Sequence, residues 1–144
     1  MTIFTIGFTR KSAEQFFTTL AEYGVKRVLD VRLNNKSQLA GFTRRDDLRY
    51  FLKALNNIDY AHRIELAPES QMLKDYRAKR ISWDEYAVQY TTLLRSRPEA
   101  LAILKDLEQD DCLLCSEADA HQCHRRLATE LAQELRTGLR VRHL

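Results

Sequence analysis

Two periodicities alternate along the chain. Residues 2–7, Thr-Ile-Phe-Thr-Ile-Gly, are β-branched and aromatic at period two and predict a strand. Ser12-Ala13-Glu14-Gln15 then fits a capping box, in which the serine hydroxyl and the glutamine amide satisfy each other's backbone N–H groups. Phe16, Phe17, Leu20 and Tyr23 follow at helical spacing, and Gly24 supplies the stop. Residues 27–31, Arg-Val-Leu-Asp-Val, read as a second strand. A strand, a helix and a strand in this order predict parallel strands joined by a right-handed crossover.

The pattern continues in the same way. Thr43-Arg44-Arg45-Asp46 reads as a helix cap ahead of an apolar stripe of Leu48, Phe51, Leu52 and Leu55. Residues 58–62 fit a third strand. Pro68 and Ser70 open a short helix, to about residue 79. Ser82-Trp83-Asp84-Glu85 is a second capping box, with Trp83, Tyr86, Tyr90 and Leu94 on one face behind it. Pro98 suits a first helical position and precedes Leu101, Leu104 and Leu107. Residues 112–115 form a short apolar strand. Asp119 is placed to cap the next helix, which buries Leu127, Leu131 and Leu135 until Gly138 ends it. Residues 139–143 alternate like a last strand. The series implies a three-layer, Rossmann-like α/β domain over residues 1–144, with a mainly parallel sheet. Extra helices, from about residue 69 to 108, are inserted before the fourth strand and are expected over one edge of the sheet.

Composition narrows this picture only a little. A chain of 144 residues, 44% hydrophobic and 30% charged, fits one domain with a real core. Four Gly and two Pro leave little room for linkers. The N-terminus has no basic stretch followed by an apolar one, so it does not read as a signal peptide. No window approaches the ~18 apolar residues of a membrane span, so no membrane association is expected. Three cysteines, an odd number, argue against a disulfide framework and for a reducing cytoplasm. The net charge of +3 permits an acidic ligand without demanding one. Basic residues recur after predicted strands: Arg10 and Lys11, then Lys36, Arg44 and Arg45, then Arg125 and Arg126.

Residues 113–126, Leu-Leu-Cys-Ser-Glu-Ala-Asp-Ala-His-Gln-Cys-His-Arg-Arg, change the picture most. Thiols, acids, histidines and arginines collect where a buried strand hands over to a helix. In open α/β sheets that junction faces the ligand crevice. Cys115 reads as a thiolate nucleophile or as a small core residue. A phosphatase-type C-x5-R loop is disfavoured, because His121 occupies the arginine position. Cys112 and Cys115 diverge to opposite faces if the segment is a strand, so they should not share a metal ion. A smaller set, Cys115, Cys123 and His124, stays open as a metal alternative; otherwise no metal and no cofactor is expected. His124 and Arg125 lie at a helix start, where an anion is favoured. Arg125 either clamps that anion or holds loops together through Glu117 or Asp30. Glu117 reads as a general base or as the partner of an arginine. Asp30 and Arg32 form a salt-bridged scaffold or contact the ligand. Gly7 allows a close backbone approach. Trp83, Tyr86, Tyr90 and Tyr76 suit base stacking or a core.

Three blocks carry a family resemblance: Thr5-Ile6-Gly7, Asp30-Val31-Arg32, and Leu113-Leu114-Cys115-Ser116-Glu117 followed by Cys123-His124-Arg125. In order and spacing they resemble the domain of unknown function 488 family over most of the chain. The resemblance implies a fold and no settled activity. Phe8 and Thr9 stand where members commonly carry His-Ser. Leu33-Asn34-Asn35-Lys36-Ser37 stands where a Pro is common, and Leu66-Ala67-Pro68 where Leu-Gly-Gly is usual. The expected function is binding of an anionic ligand, preferably a nucleotide or nucleic-acid fragment, at the C-terminal edge of the sheet. Gly7, Asp30, Arg32, Cys123, His124 and Arg125 are the expected contacts. The alternatives are an enzyme using Cys115 or Glu117 in the same crevice, and a non-catalytic structural or partner-binding subunit.

Overall fold

A computed structural model describes residues 1–36 and 40–144; Ser37 therefore lies outside the described residues. Among the described residues five strands form: β1 (Thr2–Gly7), β2 (Arg27–Asp30), β3 (Asp59–His62), β4 (Asp111–Cys115) and β5 (Arg140–His143). Six helices accompany them: α1 (Ala13–Glu22), α2 (Arg45–Asn56), α3 (Ser70–Arg77), α4 (Trp83–Arg95), α5 (Pro98–Lys105) and α6 (His124–Leu135). Every strand pairing is parallel, and the order across the sheet is β3-β2-β4-β1-β5. The result is a three-layer α/β fold. Central β4 has all five residues buried, which explains the apolar run 112–115; buried Asp111 at its start pairs with Arg27. The first and second strands of the sequence flank it and do not touch each other.

The topology fixes which helices lie on which face. From β1 the chain moves toward the β3 edge through α1 and α2. From β3 it returns through α3, α4 and α5 to β4, and α6 carries it on to β5. Right-handed crossovers running in opposite directions must use opposite faces. The core divides accordingly. Ile3, Leu29, Val31, Leu113 and Cys115 pack with Met72, Tyr86, Tyr90, Leu104 and Leu131. Phe4, Ile6, Val28, Cys112 and Leu114 pack with Phe16, Phe17, Leu48 and Leu52. The inserted helices α3–α5 thus cover a face rather than an edge, because their apolar stripes have an uncovered sheet surface to bury.

Both capping boxes form as read, at Ser12 with Gln15 and at Ser82 with Glu85. Two other caps do not. Thr43 donates its hydroxyl to the Ala40 carbonyl at 2.7 Å in a 3-10 turn, and Arg44 is the N-cap of α2 with no side-chain cap bond. Asp119 accepts from the His121 backbone N–H at 2.8 Å, closing a local turn, and α6 starts only at His124 with Cys123 as its N-cap. In each case a short polar side chain serves its own turn and is not available to the helix.

Gly7 ends β1 against the loop that leaves β4. A Cβ on Gly7 would lie far inside van der Waals contact with the Glu117 carbonyl oxygen and 3.0 Å from Arg125 Nη1. The absence of a side chain, not an unusual φ, is what this position requires. Gly7→Ala is therefore expected to destabilise the protein by about 1–3 kcal/mol, the usual cost of overpacking, as read from urea unfolding. Wild-type stability would show that the loop can withdraw freely.

Candidate functional site

The C-terminal ends of β2, β4 and β1 lie side by side, and the chain leaves β4 for one face while leaving β1 and β2 for the other. That divergence opens a crevice, as it does at topological switch points. The crevice has a volume of about 610 Å³. Cys115, Cys123 and His124 line it from below, with Ser116 and Glu117 from the loop after β4. Arg32, Lys74, Arg77, Tyr76, Trp83 and Tyr86 form its walls. An apolar groove between α1 and α2, lined by Phe17, Phe42, Phe51 and Leu55, is about 450 Å³. It gathers no cluster of reactive groups.

Arg125 is fully buried. Its Nε donates to Thr5 Oγ1 at 3.2 Å, and its Nη1 donates to the Glu117 carbonyl and toward Cys123 Sγ at 3.6 Å. Nη2 points at the Ala118 carbonyl at 3.4 Å. The guanidinium thus holds the loop after β4 onto the end of β1. It does so through backbone carbonyls, not through the carboxylates of Glu117 or Asp30. Glu117 keeps its side chain exposed at the crevice rim.

Cys115 and His124 are buried against each other. The sulfur lies 3.6 Å from Nδ1 and 3.7 Å from Nε2. Nε2 is also 2.9 Å from the Val31 carbonyl, which can only accept, so Nε2 carries the hydrogen. In the neutral ring Nδ1 is then the lone-pair nitrogen. Tyr90 packs edge-on to the ring at 5.4 Å and is itself tied to the Leu66 carbonyl at 2.6 Å. A hydrogen bond from Cys123 holds the Cys115 thiol below the usual range; burial opposes this, while the charge of Arg125 and the N–H groups of Ser116 and Glu117 assist. Cys123 is pushed up in turn, as the proton-bearing partner. A thiol lowered in this way is suited to act, once deprotonated, as a nucleophile or a metal ligand. The ligand atoms of Cys115, Cys123 and His124 all lie within 4.8 Å of one another. Cys112 faces the other side of the sheet among phenylalanines, and burial pushes its thiol up.

Asp30 and Arg32 form a bidentate ion pair, Nε to Oδ1 and Nη2 to Oδ2, both at 2.8 Å, with each residue buried. Burial alone would raise the Asp30 carboxyl, but the hydrogen bonds and charge of Arg32, with Tyr60, hold it below its ordinary value. Tyr60 donates to Oδ2 at 2.6 Å and Asn35 at 3.3 Å. Arg32 Nη2 also reaches the Thr43 carbonyl at 2.7 Å, and its guanidinium lies 5.3 Å from the Phe8 ring centroid. Nη1 of Arg32 is buried and has no hydrogen-bond partner among the described residues.

The structure brings Gly7, Cys115, Glu117, Cys123, His124 and Arg125 into one cluster. Arg32 forms its wall, and Asp30 stands behind Arg32. Tyr86 and Tyr90 are core residues, whereas Tyr76 and Trp83 are half-buried at the crevice. Sequence reading named Thr5 only within the Thr5-Ile6-Gly7 block and Asn35 only within residues 33–37, gave neither a role, and did not single out Tyr60, Lys74 or Arg77. Lys74 and Arg77 stand three apart on a basic, weakly patterned helix, and that spacing was the available signal. The role of Thr5 as an acceptor for Arg125 left no signal, since Thr is ordinary in a strand pattern.

The ion pair yields a stability test. Asp30→Asn leaves Arg32 buried without its counter-charge, which typically costs about 3–5 kcal/mol. A carboxyl lowered in the folded state contributes stability above its unfolded value of about 3.9 and loses it as pH falls through the folded value. The gap between wild type and Asp30→Asn should therefore be largest at neutral pH and narrow below about pH 4. Denaturant melts across that range check this, and a gap independent of pH would contradict it.

No curated protein and no solved structure matches the chain. A family model does: the domain of unknown function DUF488 matches residues 12–132, from the capping box of α1 to near the end of α6. With all but the first eleven and last twelve residues matched, and Asp30, Arg32, Cys115, Glu117, Cys123, His124 and Arg125 inside the matched span, the chain belongs to the DUF488 family.

Proposed function

We propose that the crevice binds an anionic ligand, preferably a nucleotide or nucleic-acid fragment. The observation that carries this reading is Arg32 Nη1, a buried charged donor without an acceptor among the described residues, in a side chain that lines the crevice. Leaving such a donor unsatisfied costs about 1–3 kcal/mol or more, and a phosphate oxygen would recover it. Lys74 and Arg77, both exposed on α3, add two mobile cations to the same wall. Half-buried Tyr76 and Trp83 offer ring faces for a base. Glu117 at the rim would repel the phosphate, so the ligand's charge belongs at the α3 wall. Asp30, Cys123, His124 and Arg125 act in this reading by shaping the floor and fixing Arg32, and Gly7 by admitting the loop.

Melting temperatures in the presence of orthophosphate, nucleoside mono- and diphosphates and a short single-stranded oligonucleotide test the proposal. At least one nucleotide-bearing probe should raise the melting temperature more than orthophosphate does. Lys74→Ala/Arg77→Ala should keep the unliganded melting temperature, since both side chains are exposed. It should weaken binding by about tenfold or more at low salt, the loss of about 1.4 kcal/mol or more. Absence of any shift, or unchanged affinity in the double variant, would overturn the reading.

A further inference from the structure

We propose that Cys115, Cys123 and His124 hold a zinc-class metal ion whose fourth coordination position opens into the crevice. The inference concerns the crevice floor, and it does not rest on what binds above.

The donor set suits the ion. Two thiolates and an imidazole are the ligands that zinc takes, with Zn–S near 2.3 Å and Zn–N about 2.0–2.1 Å. In a tetrahedron those bonds set sulfur and nitrogen about 3.6 Å apart. The Cys115 Sγ to His124 Nδ1 separation is 3.6 Å, and every pair in the set is within 4.8 Å. The nitrogen available for a metal is the right one. Nε2–H is committed to the Val31 carbonyl, which leaves the Nδ1 lone pair for a metal, with Cys115 Sγ 3.6 Å from Nδ1 and 3.7 Å from Nε2. A backbone carbonyl that fixes the tautomer of a ligating histidine is the usual outer-shell arrangement. A second outer contact is present, from Arg125 Nη1 toward Cys123 Sγ at 3.6 Å.

The position within the fold supports an accessible site. All three ligands line the crevice, so three protein ligands would leave one coordination position facing solvent or substrate. Two thiolates cancel the charge of a divalent ion. The buried guanidinium of Arg125 then leaves one positive charge beside the site, and an anion is the favoured fourth ligand: hydroxide, or an oxygen of a molecule in the crevice. Cys112 is the internal control. It is equally buried, yet it lies in the opposite core layer.

The test uses the intact protein, purified without chelator, with no nucleotide present. One equivalent of zinc per chain is expected on elemental analysis, either as purified or after adding one equivalent of zinc and removing the excess. Cobalt(II) in its place should give a thiolate-to-cobalt charge-transfer band and the visible absorption of a tetrahedral centre. Cys115→Ser and Cys123→Ser should each weaken or remove these bands, while Cys112→Ala should keep them. The wild-type cobalt spectrum needs no variant, so the proposal stays open to refutation even where a variant fails to fold. Wild-type protein that retains no stoichiometric metal, or a cobalt spectrum without the thiolate band, would overturn it. So would bands that survive both Cys115→Ser and Cys123→Ser.

Discussion

A fully buried arginine side chain must find acceptors for its five N–H donors, and in this protein most of them are supplied by one loop. Arg125 projects from the first turn of α6 and directs its guanidinium to the Glu117 and Ala118 carbonyls and to Thr5. The other side of the Glu117 carbonyl rests where Gly7 has no side chain. Loop, strand end and helix start are thereby locked together. Cys115 lies just before the clamped loop and Cys123 and His124 just before Arg125 itself. Their convergence at the crevice floor follows from where the arginine is anchored. The guanidinium is buried among neutral acceptors, with the Cys123 sulfur as a further contact at 3.6 Å, and its hydrogen bonds to them offset the cost of its burial.

The second buried arginine works differently. Arg32 has a carboxylate, Asp30, and the pair is held by Tyr60, Asn35 and the Thr43 carbonyl. Neither N–H of its Nη1 has a partner among the described residues. In the proposed reading Arg32 is the ligand contact, held rigid by its pair, whereas Arg125 is a staple with its donors turned inward. The proposed anionic ligand and the proposed metal ion use adjacent parts of one crevice: charge at the α3 and Arg32 wall, and soft ligands on the floor.

Most of the fold was legible because its signals were local. Both capping boxes, the Pro98 helix start and the apolar run of β4 are written in consecutive residues, and each forms. The strand order was not legible, because nothing in residues 2–7 or 27–31 says that β4 will enter between them. The role of Asp119 was misread because an aspartate closing its own turn and one capping a helix look alike until the helix start is known. At the site, strand alternation correctly separated Cys112 from Cys115, since period two is a property of the backbone. The partners of Arg125 were beyond reach. Backbone carbonyls are present at every position and leave no trace in the sequence, so charge pairing suggested Glu117 or Asp30 side chains instead.

Arg125→Met, which keeps bulk and removes the donors, bears most directly on this account. Hydrogen–deuterium exchange at residues 116–120 and the free energy of unfolding are the quantities to measure. The clamp predicts faster exchange in that loop and a loss of about 2 kcal/mol or more, because partly buried carbonyls lose their charged donor. Unchanged loop protection and unchanged stability, with phosphate binding alone reduced, would contradict it and return Arg125 to the role of an anion contact.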